Sequence, residues 1–247
     1  MIQAARSPLR ESILRRYVSH LCATRFSGIY ALGTAHIRAL DPSRPVICIA
    51  NHTNWWDGFM TSAVSARMPS RHTFCMMEER QLRHHRFLRH MGAFSVDPGS
   101  PASAAASLRY AIRLLSDPSS ALWIFPQGTI QSPHAPIRPR PGAAFLARKV
   151  PRAQILPVIF RYAFFDEDRP HALIGIGAPS PAGPGTANDD IAARLDATRE
   201  IIDPLVLERD LAPFDVLQAP GLSLNKRWEW LRRAATGQLR EFTPRNG

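Results

Sequence analysis

The sequence predicts an α/β fold, a single domain with a mixed, largely parallel sheet flanked by helices. Three observations lead there. A chain of 247 residues is long enough for one large core. No Gly/Ser linker or sharp composition shift divides it. Short, continuous apolar runs such as "PVICIA" (45–50), "HTFCMM" (72–77) and "ALWIF" (121–125) read as buried strands and alternate with helical stretches.

The elements follow in order. In 8–24, Leu9, Ile13, Tyr17, Leu21 and Thr24 fall on one helical face, with Arg10, Arg15 and Arg16 off it. The strand 45–50 comes next, then a helix from Asp57 through "GFMTSAVSARM". After the buried strand 72–77, "RQLRHHRFLRHMG" (80–92) reads as a basic helix stopped by Gly92. "AFSV" is a short strand. "PASAAASLRYAIRLLSD" is a helix with Pro101 near its start. The strand "ALWIF" precedes a turn-rich loop and the short helix "AAFLARK". "QILPVIFRYAFF" and "HALIGIG" are strands, 179–189 a loop, and a long helix occupies about 189–211. A basic helix closes the chain over about 223–242.

Charge narrows the partners. The formal net charge is +11, and of 31 basic residues only Lys149 and Lys226 are lysines. Such a balance favours an anionic membrane face, phosphorylated ligands or nucleic acid, although a coding bias toward arginine, alanine and proline explains part of it. A nucleic-acid module is not recognisable, and the aromatics sit in apolar runs, so no nucleic-acid partner is expected. Cys22, Cys48 and Cys75 form no CxxC pair; Cys48 and Cys75, in apolar runs, are expected to be buried thiols, with no disulfide and no metal. His84, His85 and His90 lack a carboxylate or cysteine at ligand spacing. No run of 18 apolar residues spans a membrane, and the charged N-terminus lacks the apolar centre of a signal peptide.

Two segments carry chemistry. In "NHTNWWDG" (51–58), His52 lies just past a strand, at the edge where open α/β sheets bind ligands. Asp57, five residues on, begins the next helix, where a carboxylate either caps the helix or folds back to orient the imidazole. Nine histidines and twelve aspartates give about 0.4 such spacings by chance, and His36/Asp41 is a second copy. That copy precedes its strand and falls in the turn signal "DPSRP", so it reads as structural. The second segment is "FPQGT" (125–129). Pro126 and Gly128 shape a turn that leaves backbone N–H groups open to a ligand, and Gln127 and Thr129 add neutral hydrogen-bonding groups.

Together these segments resemble the glycerolipid acyltransferases, the lysophosphatidic acid (PlsC-type) family. "FLRHMGAFSVD" (87–97) is similar to the family's second block, and "ILPVIF" (155–160) after "RPGAAFLARK" to its fourth. The resemblance spans 46–160. It implies a glycerol-3-phosphate acyltransferase-like fold over a single domain, 1–247, with a motif-bearing core of about 45–180. It implies His52 as general base and Asp57 as its partner. Asn51, Phe125, Pro126, Gln127, Gly128 and Thr129 are then acceptor-binding residues. No cofactor is implied, only acyl-CoA or acyl-carrier protein as co-substrate, with a hydroxylated lipid as acceptor.

Three departures remove charge. Gln127 stands where the family usually has glutamate, Ile130 where it has arginine, and Asp97-Pro98 where it has Asp-Arg. They point to a neutral acceptor such as a glycosylated carotenoid, unless Arg138 or Arg140 reaches a phosphate from the next loop. A thioester hydrolase, with water replacing the acceptor, is the rival enzyme class. Leu224, Trp228, Leu231, Ala235, Leu239 and Phe242 form one apolar stripe among arginines. This helix and 8–24 fit either an anionic membrane surface or a core-packed terminus. The expected location is peripheral, on the cytoplasmic face.

Overall fold

The computed structural model describes residues 1–68 and 70–219, so the helix expected over 223–242 lies outside the described residues. In chain order the elements are α1 (Pro8–Arg25), β1 (Gly28–Leu32), α2 (Ala35–Arg38), β2 (Val46–Ala50), α3 (Asp57–Ser65), β3 (His72–Glu78), α4 (Glu79–His84), a 3₁₀ segment (Arg86–Met91), β4 (Ala93–Val96) and α5 (Pro101–Leu114). There follow β5 (Ser120–Ile124), α6 (Gly142–Lys149), β6 (Gln154–Ala163), β7 (His171–Ile176), β8 (Ser180–Pro181), α7 (Asn188–Glu208) and β9 (Asp215–Gln218).

The strands form one sheet in the order β4-β3-β5-β2-β6-β7-β1-β9, with β8 added to β6. Pairing is parallel throughout β4-β3-β5-β2-β6 and between β7 and β1. It is antiparallel for β6–β7, β6–β8 and β1–β9. The mixed, largely parallel α/β sheet expected from the alternation is therefore present.

Strand β2 lies inside this sheet and is buried on both faces, which is why its sequence is apolar without alternation. Ile47 and Ile49 point into a core closed by α5, α6 and α7, whereas Val46, Cys48 and Ala50 point into a second core closed by α1 and α3. Burial raises the thiols of Cys22, to about 11, and Cys75, to about 12, and pushes Cys48 higher still.

Three expectations need correcting. Strand β3 is half-buried rather than enclosed, because one of its faces borders a cavity. The single helix over 80–92 is two pieces. The backbone breaks at His85 (φ −110°, ψ 52°), a 3₁₀ segment follows, and Gly92 ends it in the left-handed region at φ +94°. A Cβ on Gly92 would also lie 2.2 Å from the Thr73 carbonyl oxygen. Strands β1, β8 and β9 and the short α2 were not read from the sequence.

Helix α1 is oriented against its apolar stripe. Leu9, Ile13 and Tyr17 are 73, 59 and 55% exposed, while Glu11, Val18 and Cys22 face the protein. The inward carboxylate is tolerated because Glu11 accepts from Arg6 and Arg15, both at 2.8 Å. Burial opposes the charge of Glu11. The bonds from Arg15 and Arg6 outweigh it and hold the carboxyl below its ordinary value.

Candidate active site

The site is built where the C-terminal ends of β5, β2 and β6 lie side by side. Register sets it up: Ile49 of β2 pairs with Ile124 of β5, and Ala50 pairs with Val158 of β6. The loops that leave β2 and β5 therefore start as neighbours, and β6 runs on past them.

His52 and Asp57 meet. His52 Nδ1 lies 2.9 Å from Asp57 Oδ2. The carboxylate only accepts, so Nδ1 carries the proton and Nε2 keeps its lone pair. Asp57 is fully buried. Its Oδ2 also accepts the backbone N–H groups of Thr53 (2.7 Å) and Asn54 (2.9 Å), and its Oδ1 accepts the Tyr162 hydroxyl (2.7 Å). These donors compensate the buried charge. Asp57 does not cap α3: its carboxylate faces back into the preceding loop, and no side chain caps that helix. The imidazole stacks on Phe125, with ring centroids 4.4 Å apart. The decoy pair stays apart. His36 Nδ1 bonds the Ile176 carbonyl, and Asp41 Oδ1 accepts from Ser43 in its turn.

The His52 backbone is held from both directions by the segment after β5. Gln127 Oε1 accepts the His52 N–H at 2.7 Å, and the Gln131 N–H donates to the His52 carbonyl at 2.9 Å. The two side chains join, Gln127 Nε2 donating to Gln131 Oε1 at 2.8 Å. Gln127, expected to contact the acceptor, is buried, and its side-chain amide is engaged with its own protein. Asn51, expected on the substrate as well, is engaged in the same way. Its amide exchanges two hydrogen bonds with the Phe160 backbone of β6, at 2.7 and 3.1 Å. Gly128 adopts φ +72°, but its N–H closes the turn on the Phe125 carbonyl and is not open to a ligand.

His52 lines a cavity of about 830 Å³. Of the residues read as acceptor-binding, Phe125, Pro126, Gly128, Thr129 and Arg140 line it, and Asn51, Gln127 and Arg138 do not. Its depth is apolar, with Phe74, Met76, Leu88, Met91, Leu108 and Ile124 on the walls. Tyr17, Trp55, Phe87 and Ile130 line it while remaining exposed to solvent. Pro98 and Ile130 are on the wall where arginines were expected. Among the described residues, Arg15 in this wall is paired with Glu11, and the Arg140 side chain has no carboxylate partner. Arg140 packs over Gly128, where a Cβ would come within 2.9 Å of its Nε. Among the described residues no three His, Cys, Asp or Glu side chains group to hold a metal. His85 lines the cavity beside Trp55, whereas His90 is engaged with the Ala5 carbonyl and Arg10.

A buried carboxylate on one imidazole nitrogen and a free nitrogen on the other make a proton acceptor on the wall of an apolar cavity. The sequence model of the family described as Acyltransferase matches residues 33–161, just over half of the chain, and both loops fall inside the match. The chain belongs to the acyltransferase family. Its fold is also that of a solved relative in architecture, the crystal structure of the 1-acyl-sn-glycerophosphate (LPA) acyltransferase PlsC from Thermotoga maritima. The TM-score is 0.56 at 18% identity, over 81% of this chain and 79% of that one. No curated protein matches the sequence.

Tyr162 and Gln131 of this acyltransferase escaped the sequence reading. No spacing pointed to them. They reach the site through strand register and loop closure; the strand read over 154–165 contains Tyr162, but nothing in its pattern set that residue apart.

Proposed function

We propose that this acyltransferase moves a fatty acyl group from an acyl thioester, acyl-CoA or acyl-carrier protein, to a hydroxyl of a lipid acceptor. The observation that carries the reading is the His52–Asp57 pair on the wall of an apolar cavity: among the described residues no serine, threonine or cysteine side chain hydrogen-bonds the imidazole, so the acceptor supplies the attacking oxygen. His52 Nε2 takes the acceptor's hydroxyl proton as that oxygen adds to the thioester carbonyl carbon. The tetrahedral adduct collapses, the C–S bond breaks, and the imidazolium returns the proton to the leaving sulfur. Asp57 keeps the imidazole in the required tautomer and stabilises the imidazolium. The apolar walls suit a fatty chain.

The acceptor end is poor in charge. Ile130 and Pro98 replace the expected arginines, Gln127 faces inward, and Arg140 is the cation left without a carboxylate partner among the described lining residues. This supports an acceptor of low charge, such as a neutral hydroxylated lipid, over a phosphomonoester.

Access to such an acceptor calls for a membrane surface. No helix among the described residues is long and apolar enough to cross a bilayer. The outward stripe Leu9, Ile13 and Tyr17 and the exposed cavity residues Trp55, Phe87 and Ile130 support a peripheral mode, with surrounding arginines favouring anionic lipid.

The test uses purified protein, labelled palmitoyl-CoA and matched micelles of lysophosphatidate, monoacylglycerol and a glycosylated lipid alcohol. Acylated product from the neutral acceptors, lost in His52→Ala, is expected. Equal or faster acylation of lysophosphatidate refutes the low-charge acceptor. Thioester cleavage at full rate without any acceptor makes the protein a hydrolase. Flotation with anionic vesicles should fall in Leu9→Asp/Ile13→Asp, and unchanged flotation refutes the docking face.

A further inference from the structure

Asp57 is the fully buried carboxylate of the site, and its two oxygens are served differently. Oδ2 accepts the imidazole and two backbone N–H groups, while Oδ1 accepts the Tyr162 hydroxyl at 2.7 Å. Tyr162 projects from the part of β6 that runs beyond β2, and its ring packs against Phe26 at 5.8 Å. Phe26 in turn meets Trp56, the residue before Asp57, edge-on at 5.1 Å. The phenol is thus fixed by β6 and by the residue that ends α1, and its hydroxyl is aimed at one carboxylate oxygen.

We propose that Tyr162 is a positioning residue for acyl transfer: its hydroxyl keeps Asp57 turned toward the imidazole and tempers the carboxylate's pull on the His52 proton. The proposal rests on His52 acting as the base. A carboxylate whose second oxygen already accepts a hydrogen bond has less charge to offer the imidazolium. Removing the Tyr162 hydroxyl should therefore strengthen the carboxylate's hold on the imidazolium.

The surrounding groups are consistent with this role. Burial, and then the Asp57 charge, hold the Tyr162 phenol well above its ordinary pKa, so it remains a donor. From α1 the facing titratable group is Cys22, an uncharged thiol. From the loop before α3 they are His52 and Asp57 themselves. On β6, the neighbouring Arg161 is bonded to both carboxylate oxygens of Asp203, at 2.7 and 3.0 Å.

The experiment compares the parent protein, Tyr162→Phe, the full chain with fluorotyrosine at position 162, and His52→Ala. Thiol release from palmitoyl-CoA is followed from about pH 5.5 to 9 with mixed micelles of monoacylglycerol and lysophosphatidate. In parallel, proton NMR without substrate follows the low-field resonance of the Nδ1–H between His52 and Asp57. Tyr162→Phe should lower kcat about 10- to 100-fold at neutral pH, leave KM for palmitoyl-CoA unchanged, and recover activity as pH rises. The acidic limb moves up in Tyr162→Phe. It moves down with fluorotyrosine, whose more acidic hydroxyl donates more strongly. A limb at the same pH in all active proteins overturns the proposal. If Tyr162→Phe does not fold, the fluorotyrosine shift alone decides. If the parent turns over neither acceptor, the transfer reading fails separately. The resonance, absent in His52→Ala, then decides: a titration midpoint unmoved by both substitutions overturns the role of Tyr162.

Discussion

Replacing Gln127 separates an acceptor-binding role from a role in holding the base. In Gln127→Ala the His52 N–H loses its 2.7 Å acceptor, and Gln131 Oε1 loses its 2.8 Å donor. A buried donor left without a partner costs about 1–3 kcal/mol. The larger effect falls on rate. The His52 backbone is then tied to this loop only through its carbonyl. A shift of about 1 Å in a reacting group costs on the order of 100-fold. Gln127→Glu behaves differently. One carboxylate oxygen still accepts the His52 N–H, and the other faces Gln131 Oε1. Gln131 relieves that contact by turning its amide, since its side chain is only partly buried. The net change in stability should be within about 1 kcal/mol. Stopped thiol-release kinetics with palmitoyl-CoA, plus thermal unfolding, read both effects. The expected order of kcat is parent close to Gln127→Glu, with Gln127→Ala roughly 100-fold lower. Undiminished kcat in Gln127→Ala refutes the clamp. A change above about tenfold in the ratio of KM for phosphorylated and neutral acceptors in Gln127→Glu restores Gln127 to the acceptor side.

Asp57→Asn should lower kcat by about 10²- to 10⁴-fold with little change in KM, because a neutral amide, its oxygen kept toward Nδ1 by the Thr53 and Asn54 N–H groups, no longer stabilises the imidazolium that forms; a milder loss in steady-state assays counts against the role of the Asp57 charge. Asn51→Ala leaves the buried Phe160 N–H without its 2.7 Å acceptor, and chemical denaturation should show a loss of about 1–3 kcal/mol with KM unaffected. The carboxyl of Glu11 is held below its ordinary value near 4.5, so its contribution is complete above that value and disappears as pH falls through the lower, folded one. The stability advantage of the parent over Glu11→Gln should therefore be full at neutral pH and vanish in strong acid, as urea titrations across pH would show.

The fold was legible where burial leaves a one-dimensional trace. Strands β2 and β5 are enclosed on both faces, so their composition alone announced them. Strand β1, equally apolar over Gly28–Leu32, pairs with β7 some 140 residues away, and nothing local marked it off from the end of α1. The basic stretch 80–92 kept helical composition through His85, where the backbone turns. For α1, periodicity found the stripe but not its direction. The Glu11 ion pairs let the polar side face inward, and no pattern rule contains that information. The site divides in the same way. His52, Asp57 and the turn at 125–129 are local in sequence and were found. Gln127 and Asn51 have side chains typical of ligand contacts, yet each is spent on backbone groups of a neighbouring strand or loop. Tyr162 became visible only through the register of β2 on β6.

The amides of His52 and Phe160 are bonded to side chains that bridge β5, β2 and β6, the most central part of the sheet. Local opening cannot release His52 while the centre of the sheet stays closed. Heat inactivation and loss of the tertiary structure should then be a single event, with no folded but silent species between them. The exposed apolar rim of the cavity, built from side chains on α1 and the surrounding loops, is under no such constraint. It can loosen, or change its residues between relatives, while the proton-transfer geometry stays as it is.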